Sequence, residues 1–76
     1  MSDSIKNIVG ENFRKYRKEA NISQYELAIK VETSQNVISK IENGRQNFSI
    51  NAIERYSAGL EVPTYKLFIP QEEEDL

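Results

Sequence analysis

Four polar side chains near the middle of the chain have the types and the spacing needed to recognise the edges of DNA bases. Gln35 and Asn36 are adjacent, and Ser39 and Lys40 follow one helical turn later, so they share a face if the segment is helical. An amide side chain can bond N6 and N7 of adenine, and an ammonium group can bond O6 and N7 of guanine. The pattern predicts base contacts by these four residues, although the amides also suit an ordinary exposed face and a lysine binds phosphate more commonly than guanine.

Polar residues around this segment carry groups that bind phosphate. Candidates for phosphate contacts are Arg14, Tyr25, Ser34, Asn43, Arg45 and Asn47. Two of them have simpler explanations, because Ser34 can cap a helix and Tyr25 can be a surface aromatic residue. The basic cluster from Arg14 to Lys18 is equally compatible with a phosphate-binding patch and with a solvated helix face.

The net charge of −2 argues weakly against a nucleic-acid partner. Residues 72–75 are all acidic and account for −4, so the rest of the chain carries +2. Phosphate binding depends on a local basic patch rather than on the total charge. The distribution of charge therefore leaves a nucleic-acid partner open.

The spacing of apolar residues and the capping residues predict five short helices. The apolar stripe of the first helix is Ile5, Ile8, Val9, Phe13 and Tyr16. Intervals of three and four predict a helix over residues 5–19, which Asn21 closes as a left-handed cap. Ser23 and Glu26 form a capping box that begins the second helix, and this helix ends near Val31.

The third and fourth helices follow from the same signals. Either Thr33 or Ser34 caps the third helix, and Gly44 ends it. Its inward residues are Val37, Ile38 and Ile41. Ser49 caps the fourth helix. The apolar or small face of that helix is Ile50, Ile53, Tyr56, Ser57 and Leu60.

A fifth, short helix completes a compact all-α domain. Pro63 suits its first turn, and Pro70 ends it after residues 68–69. The chain is predicted to divide into a disordered N-terminus, one domain and a disordered acidic tail, at residues 1–4, 5–69 and 70–76.

Size and composition exclude several classes of function. A chain of 76 residues has room for one domain with a modest core, and no cysteine or histidine is present. Disulfides, thiolate or imidazole metal sites and Cys- or His-dependent catalysis are therefore excluded. No Gly-rich phosphate loop is present either, so we expect neither an enzyme nor a cofactor. The sequence has no signal peptide and no apolar run of membrane-spanning length, which favours a cytoplasmic location.

The segment from Gln24 to Asn43 resembles the helix-turn-helix of the lambdoid phage repressor and Cro family, also called the xenobiotic-response-element type. The stretches that carry the resemblance are Arg14–Lys18, Ile22–Ala28, Ser34–Arg45, Leu60–Pro63 and Leu67–Phe68. The resemblance implies a lambda-repressor-like fold in which the third helix enters the major groove. It also implies that Gln24 anchors a backbone phosphate. Ala28 is small enough for the close crossing of the two helices, which an apolar wedge behind them would make rigid.

The sequence departs from the family pattern at four positions. Glu32 and Glu61 occupy turn positions where glycine is common, and a left-handed backbone there costs about 1–2 kcal/mol for each non-glycine residue. Phe48 stands near a position where proline is common. Gly59 replaces the usual alanine in the fourth helix, at a cost of about 0.5–1 kcal/mol.

Apolar residues near the C-terminus exceed what a small core needs, and the resemblance implies a twofold dimer through this end. The candidate interface residues are Tyr56, Leu60, Val62, Tyr65, Phe68 and Ile69. The sequence thus predicts a DNA-binding transcriptional regulator that recognises a near-palindromic operator as a homodimer. Repression is the default mode, because blocking a promoter requires nothing further of the surface. The alternative is a protein-interaction module, such as an antitoxin, whose apolar C-terminal helix and acidic tail bind a partner protein.

Overall fold

The computed structural model describes residues 4–71, which form four α-helices and a short 3₁₀ helix. The elements are α1 (Ile5–Glu19), α2 (Gln24–Lys30), α3 (Gln35–Glu42), α4 (Ile50–Leu60) and the 3₁₀ helix (Thr64–Phe68). The predicted all-α fold is confirmed, although the fifth helix is of the 3₁₀ type. Its first turn closes through an i→i+3 bond, in which Lys66 N–H donates to the carbonyl of Pro63 at 3.0 Å. Within residues 4–71, no helix has both the length and the apolar character needed to cross a bilayer.

A serine hydroxyl caps the start of each α-helix by accepting a hydrogen bond from the N–H three residues later. The four capping residues are Ser4, Ser23, Ser34 and Ser49. The capping box of α2 is complete, since Ser23 N–H donates to Glu26 Oε1 at 2.8 Å. Of the two residues predicted to cap α3, Ser34 makes the bond and Thr33 does not. Ser4, in the segment predicted to be disordered, caps α1.

A residue with left-handed backbone angles follows each α-helix. These residues and their φ angles are Asn21 (63°), Glu32 (62°), Gly44 (72°) and Glu61 (62°). In each case the next residue donates its N–H to a carbonyl five positions earlier, as Thr33 does to Ala28 at 2.9 Å. The predicted helix stops at Asn21 and Gly44 are confirmed. Glu32 and Glu61 take the same conformation without being glycine, and each therefore carries the expected strain.

Glu32→Gly should raise the free energy of unfolding by about 0.5–1 kcal/mol, because relief of left-handed strain exceeds the added entropy of the unfolded chain. Urea denaturation of the purified chain measures this change. Glu11→Gly, at an exposed position inside α1, is the matched control and should instead cost about 1 kcal/mol. Equal losses in the two variants would contradict strain at Glu32.

Apolar side chains from all five helices form one core. Its members are Val9, Phe13, Leu27, Ala28, Val31, Ile38, Ile41, Ile53, Tyr56, Leu60 and Leu67. The rings of Phe13 and Tyr56 meet edge to face with centroids 6.0 Å apart, which joins α1 to α4. Ile5 of the predicted apolar stripe and Ile50 of the predicted apolar face do not join this core, since they are 54% and 64% exposed. Each is the first residue of its helix, where the described elements do not cover its side chain.

Two glycines lie inside helices where a neighbouring element leaves no room for a side chain. A Cβ on Gly10 of α1 would overlap the carbonyl oxygen of Ile41 and lie 3.1 Å from that of Glu42, at the end of α3. A Cβ on Gly59 of α4 would overlap the Cγ1 methyl group of Val31. Gly59 lowers the helix propensity of α4, but it also lets α4 approach the end of α2 closely.

The C-terminal part of the described chain is bound to α1. The buried Asn12 side chain donates from Nδ2 to the carbonyls of Leu67 at 2.9 Å and Ile69 at 2.7 Å. Gln71, at the start of the predicted tail, is half-buried and donates to the carbonyl of Glu11 at 3.0 Å. The rest of the predicted tail, residues 72–76, and residues 1–3 of the predicted N-terminal segment lie outside the described residues.

Candidate nucleic-acid interface

The predicted helix-turn-helix consists of α2 and α3, joined by residues 31–34. The two helices are in contact, and Ala28 of α2, Val31 of the turn and Ile38 of α3 are all buried in the core. Arg55 of α4 fixes the turn from outside, because its Nε donates to the carbonyl of Val31 at 2.9 Å. Close packing and this hydrogen bond hold α3 in a defined direction relative to the rest of the domain.

The polar face of α3 is open to solvent, as a helix that enters a groove requires. Gln35, Asn36 and Lys40 are exposed and Ser39 is half-buried. Within residues 4–71, the side chains of these four residues make no hydrogen bond or ion pair. Their amide, hydroxyl and ammonium groups are therefore available to base edges along one side of a helix, and a major groove admits such a helix.

The predicted phosphate-binding residues differ in how free their side chains are. Arg45, Asn47 and Tyr25 are exposed. Ser34 accepts a hydrogen bond from Val37 N–H at 3.2 Å, so it acts as a cap, and its hydroxyl hydrogen can still be donated to a phosphate oxygen. Asn43 donates from Nδ2 to the carbonyl of Ser39 at 2.9 Å, which orients its amide at the end of α3.

The four basic residues from Arg14 to Lys18 differ in exposure and in the groups that they contact. Arg14 and Lys18 are exposed, whereas Lys15 lies over the ring of Tyr16, with Nζ 5.4 Å from the ring centroid. Arg17 turns inward and is only 11% exposed. Arg14 thus remains available to a phosphate, and Arg17 has an internal role.

Arg17, Glu42 and Gln24 form a network that links α1, α2 and α3. Arg17 donates from Nε to Glu42 Oε2 at 2.5 Å and from Nη2 to Oε1 at 3.1 Å, and its Nη1 donates to the carbonyl of Ile22 at 2.9 Å. Gln24 donates from Nε2 to Glu42 Oε1 at 3.0 Å. Arg17 is therefore the ion-pair partner of Glu42, and Gln24 is a second donor to the same carboxylate.

Sequence reasoning did not find Arg17 as a member of the site, although a signal for it exists. Arg17 follows the buried Phe13 by four positions, and Glu42 follows the buried Ile38 by four. Side chains four apart share a helix face, so each charged residue continues a buried stripe. A charged group on such a stripe needs a partner of opposite sign.

The residues predicted to form a dimer interface separate into two groups. Tyr56 and Leu60 belong to the core of the single chain and are each 5% exposed, so little of their surface remains for a second copy to contact. Tyr65 is 63% exposed. The other three candidates lie within four positions of Tyr65 in the sequence and are half-buried: Val62, Phe68 and Ile69.

A family model described as helix-turn-helix matches residues 13–67. The chain belongs to the helix-turn-helix family. This helix-turn-helix protein is 36% identical over 73 residues to the control protein C.MunI from Mycoplasma sp, an alignment that covers 95% of this chain and 99% of that one. These comparisons confirm the family that the sequence predicts.

Solved structures agree with the family assignment. The restriction–modification controller protein C.Esp1396I matches with a TM-score of 0.78 and 30% identity, over 88% of each chain. SinR, a master regulator for biofilm formation whose structure is a complex with DNA, matches with a TM-score of 0.76 and 37% identity, over 80% of this chain and 98% of SinR. The helix-turn-helix protein is a sequence-specific DNA-binding transcriptional regulator, and the alternative of a protein-interaction module is not favoured.

Proposed function

We propose that this regulator binds a near-palindromic operator as a homodimer and represses transcription by occupying the promoter. Each protomer places residues 34–43 in a major groove, and the two half-sites lie about 34–36 Å apart, one helical turn of DNA. Gln35, Asn36, Ser39 and Lys40 contact base edges. The protein acts in the cytoplasm, through binding rather than through turnover of a substrate.

The observation that carries this proposal is the unpartnered polar face of α3 on a rigid apolar support. Ile38 and Ile41 are buried on one side of α3, whereas Asn36 and Lys40 are exposed on the other. A helix fixed from behind loses little conformational freedom on binding, which favours a specific fit to the groove. The alignment with C.MunI along nearly the whole of both chains supports the controller class among regulators of this family.

Phosphate contacts supply affinity. We assign them to Arg14, Tyr25, Gln24 and Ser34, and to the loop after α3 with Asn43, Arg45 and Asn47. Because such contacts release counterions, the logarithm of the binding constant should fall linearly with the logarithm of salt concentration, by about 0.9 per neutralised phosphate. Selection of bound fragments from random duplex DNA, followed by salt titration, tests the proposal. The proposal would be contradicted if the selected fragments shared no common sequence, or if the binding constant did not change with salt concentration.

Gln35→Ala and Arg45→Ala should have different effects on DNA binding. Gln35→Ala should relax the preference at one base pair of each half-site by about 1–3 kcal/mol, because a bidentate contact to adenine is lost. Arg45→Ala should weaken binding to all sequences alike and lower the salt slope by about one per protomer. Fluorescence anisotropy with the selected operator and single-base variants measures both. Unchanged sequence preference in Gln35→Ala would contradict the assignment of α3 as the reading helix.

The proposed dimer rests on the apolar C-terminal surface of Val62, Tyr65, Phe68 and Ile69. Tyr65→Glu places a charge on this surface at a position that is 63% exposed, so the fold of the protomer should tolerate it. Analytical ultracentrifugation should give a dimer for the parent chain at tens of micromolar and a shift towards monomer for Tyr65→Glu. A parent chain that stays monomeric with and without DNA would exclude this dimer.

A further inference from the structure

Glu42 is an acidic residue at the end of the helix proposed to enter the major groove, yet its side chain is only 3% exposed. A carboxylate near DNA would repel phosphate if it kept its charge uncompensated. Arg17 supplies the opposite charge through two hydrogen bonds, at 2.5 and 3.1 Å. The pair is therefore neutral towards DNA, and the remaining question is what the carboxylate does beyond holding Arg17.

Gln24 is the third member of this network, and its amide can hydrogen-bond to Glu42 in only one of its two orientations. A carboxylate accepts hydrogen bonds and cannot donate them, so the amide must direct Nε2 rather than Oε1 towards it. The bond to Glu42 Oε1, at 3.0 Å, uses one of the two Nε2 hydrogens. Within residues 4–71, the second hydrogen makes no hydrogen bond. Gln24 thus has a donor in a fixed orientation, and a phosphate oxygen is an acceptor.

We propose that Glu42 is a positioning residue for phosphate binding, which acts by orienting the Gln24 amide as a donor while Arg17 holds and neutralises Glu42. This inference rests on the proposed function, and in particular on the phosphate contact of Gln24. The proposed role of Glu42 differs in one respect from that of an ion pair that only stabilises the fold. A structural pair stabilises the fold but leaves the affinity of Gln24 for phosphate unchanged, whereas a positioning residue loses its effect on DNA binding once Gln24 is removed.

The double variant Arg17→Met/Glu42→Leu separates the two roles. It removes the acceptor for Gln24, keeps the net charge and fills the same space with apolar groups, an exchange that is often neutral in stability. We expect the dissociation constant for the selected operator to rise about 3- to 10-fold per protomer, as Gln24→Ala alone should do. Adding Gln24→Ala to the double variant should change nothing further. The salt slope should stay constant, because no net charge is lost.

Lys30→Met/Glu61→Gln is the matched control. It removes another ion pair of zero net charge, at 3.5 Å, from residues that lie outside the proposed DNA-binding surface. This control should bind the operator as the parent chain does. Parent-like affinity of Arg17→Met/Glu42→Leu would overturn the inference. So would a Gln24→Ala effect of equal size in the parent and in the double variant.

A measurement on the parent chain does not depend on whether the double variant folds. The Nε2 group of Gln24 should have a ¹⁵N order parameter well above that of the exposed Gln35 in the free protein, because Glu42 holds it. Equal mobility of the two side chains would overturn the inference. Failure of the parent chain to bind DNA would refute the proposed function and this role with it, whereas parent binding with an unaffected double variant would refute this role alone.

Discussion

Arg17→Met alone should lower the free energy of unfolding by about 3–5 kcal/mol. The substitution leaves the Glu42 carboxylate 3% exposed and without its counter-charge. It also removes the hydrogen bond from Nη1 to the carbonyl of Ile22, at 2.9 Å, and so loosens the link between α1 and α2. Urea denaturation followed by far-ultraviolet circular dichroism measures the loss, which is a large part of the stability of a small domain.

Two comparisons test the cause of this loss. Adding Glu42→Leu should restore most of the stability, because the uncompensated charge is removed along with its partner. Lys30→Met breaks a pair whose side chains are 50% and 82% exposed, so it should cost less than about 1 kcal/mol. If Arg17→Met and Lys30→Met cost the same, or if Glu42→Leu brings no recovery, the buried ion pair does not stabilise the fold as described.

The helices were predictable because their signals are local. Serine caps and left-handed stops lie within a few residues of the bonds that they make, as the capping box of Ser23 and Glu26 illustrates. Orientation at the helix ends was less predictable. The apolar period places Ile5 and Ile50 on the inward face, but it contains no information on whether a neighbouring element reaches the first turn.

The recognition face of α3 was also predictable, since the position of a side chain on a helix follows from the period alone. The network behind that face was not, because it joins residues 18 and 25 positions apart. The cluster from Arg14 to Lys18 contains four basic residues that the sequence alone does not distinguish, and only the packing of α1 against α3 determines that Arg17 turns inward. The pairing partner of Glu42 thus depends on tertiary structure.

Gly10 is a further case in which tertiary contact determines a residue that local preferences disfavour. Glycine inside a helix costs about 1 kcal/mol relative to alanine, so its presence in α1 indicates a close approach by another element. The carbonyls at the end of α3 occupy the space where its Cβ would lie. The position of the recognition helix therefore depends on the absence of one methyl group in α1.

Gly10→Ala should lower the free energy of unfolding by up to about 2 kcal/mol, because an overlap cost near the upper end of about 1–3 kcal/mol exceeds the gain of about 1 kcal/mol in helix propensity. The overlapped atom is the backbone carbonyl oxygen of Ile41, so no side-chain rotation can relieve the overlap. The remaining folded fraction should also bind the operator more weakly, since relief requires the end of α3 to move. Urea denaturation and fluorescence anisotropy measure the two effects.

Gly59→Ala is the comparison that tests whether overlap with a backbone atom causes the loss of stability in Gly10→Ala. Its Cβ would overlap Val31 Cγ1, a side-chain atom, so Val31→Ala should remove the overlap. In the Val31→Ala background, Gly59→Ala should no longer destabilise the domain, whereas Gly10→Ala should remain as costly as in the parent chain. Glu11→Ala, at the exposed position next to Gly10, should change stability by less than about 0.5 kcal/mol. A stabilising Gly10→Ala would mean that α1 and α3 have room between them, and the rigid support proposed for the recognition helix would then be absent at this contact.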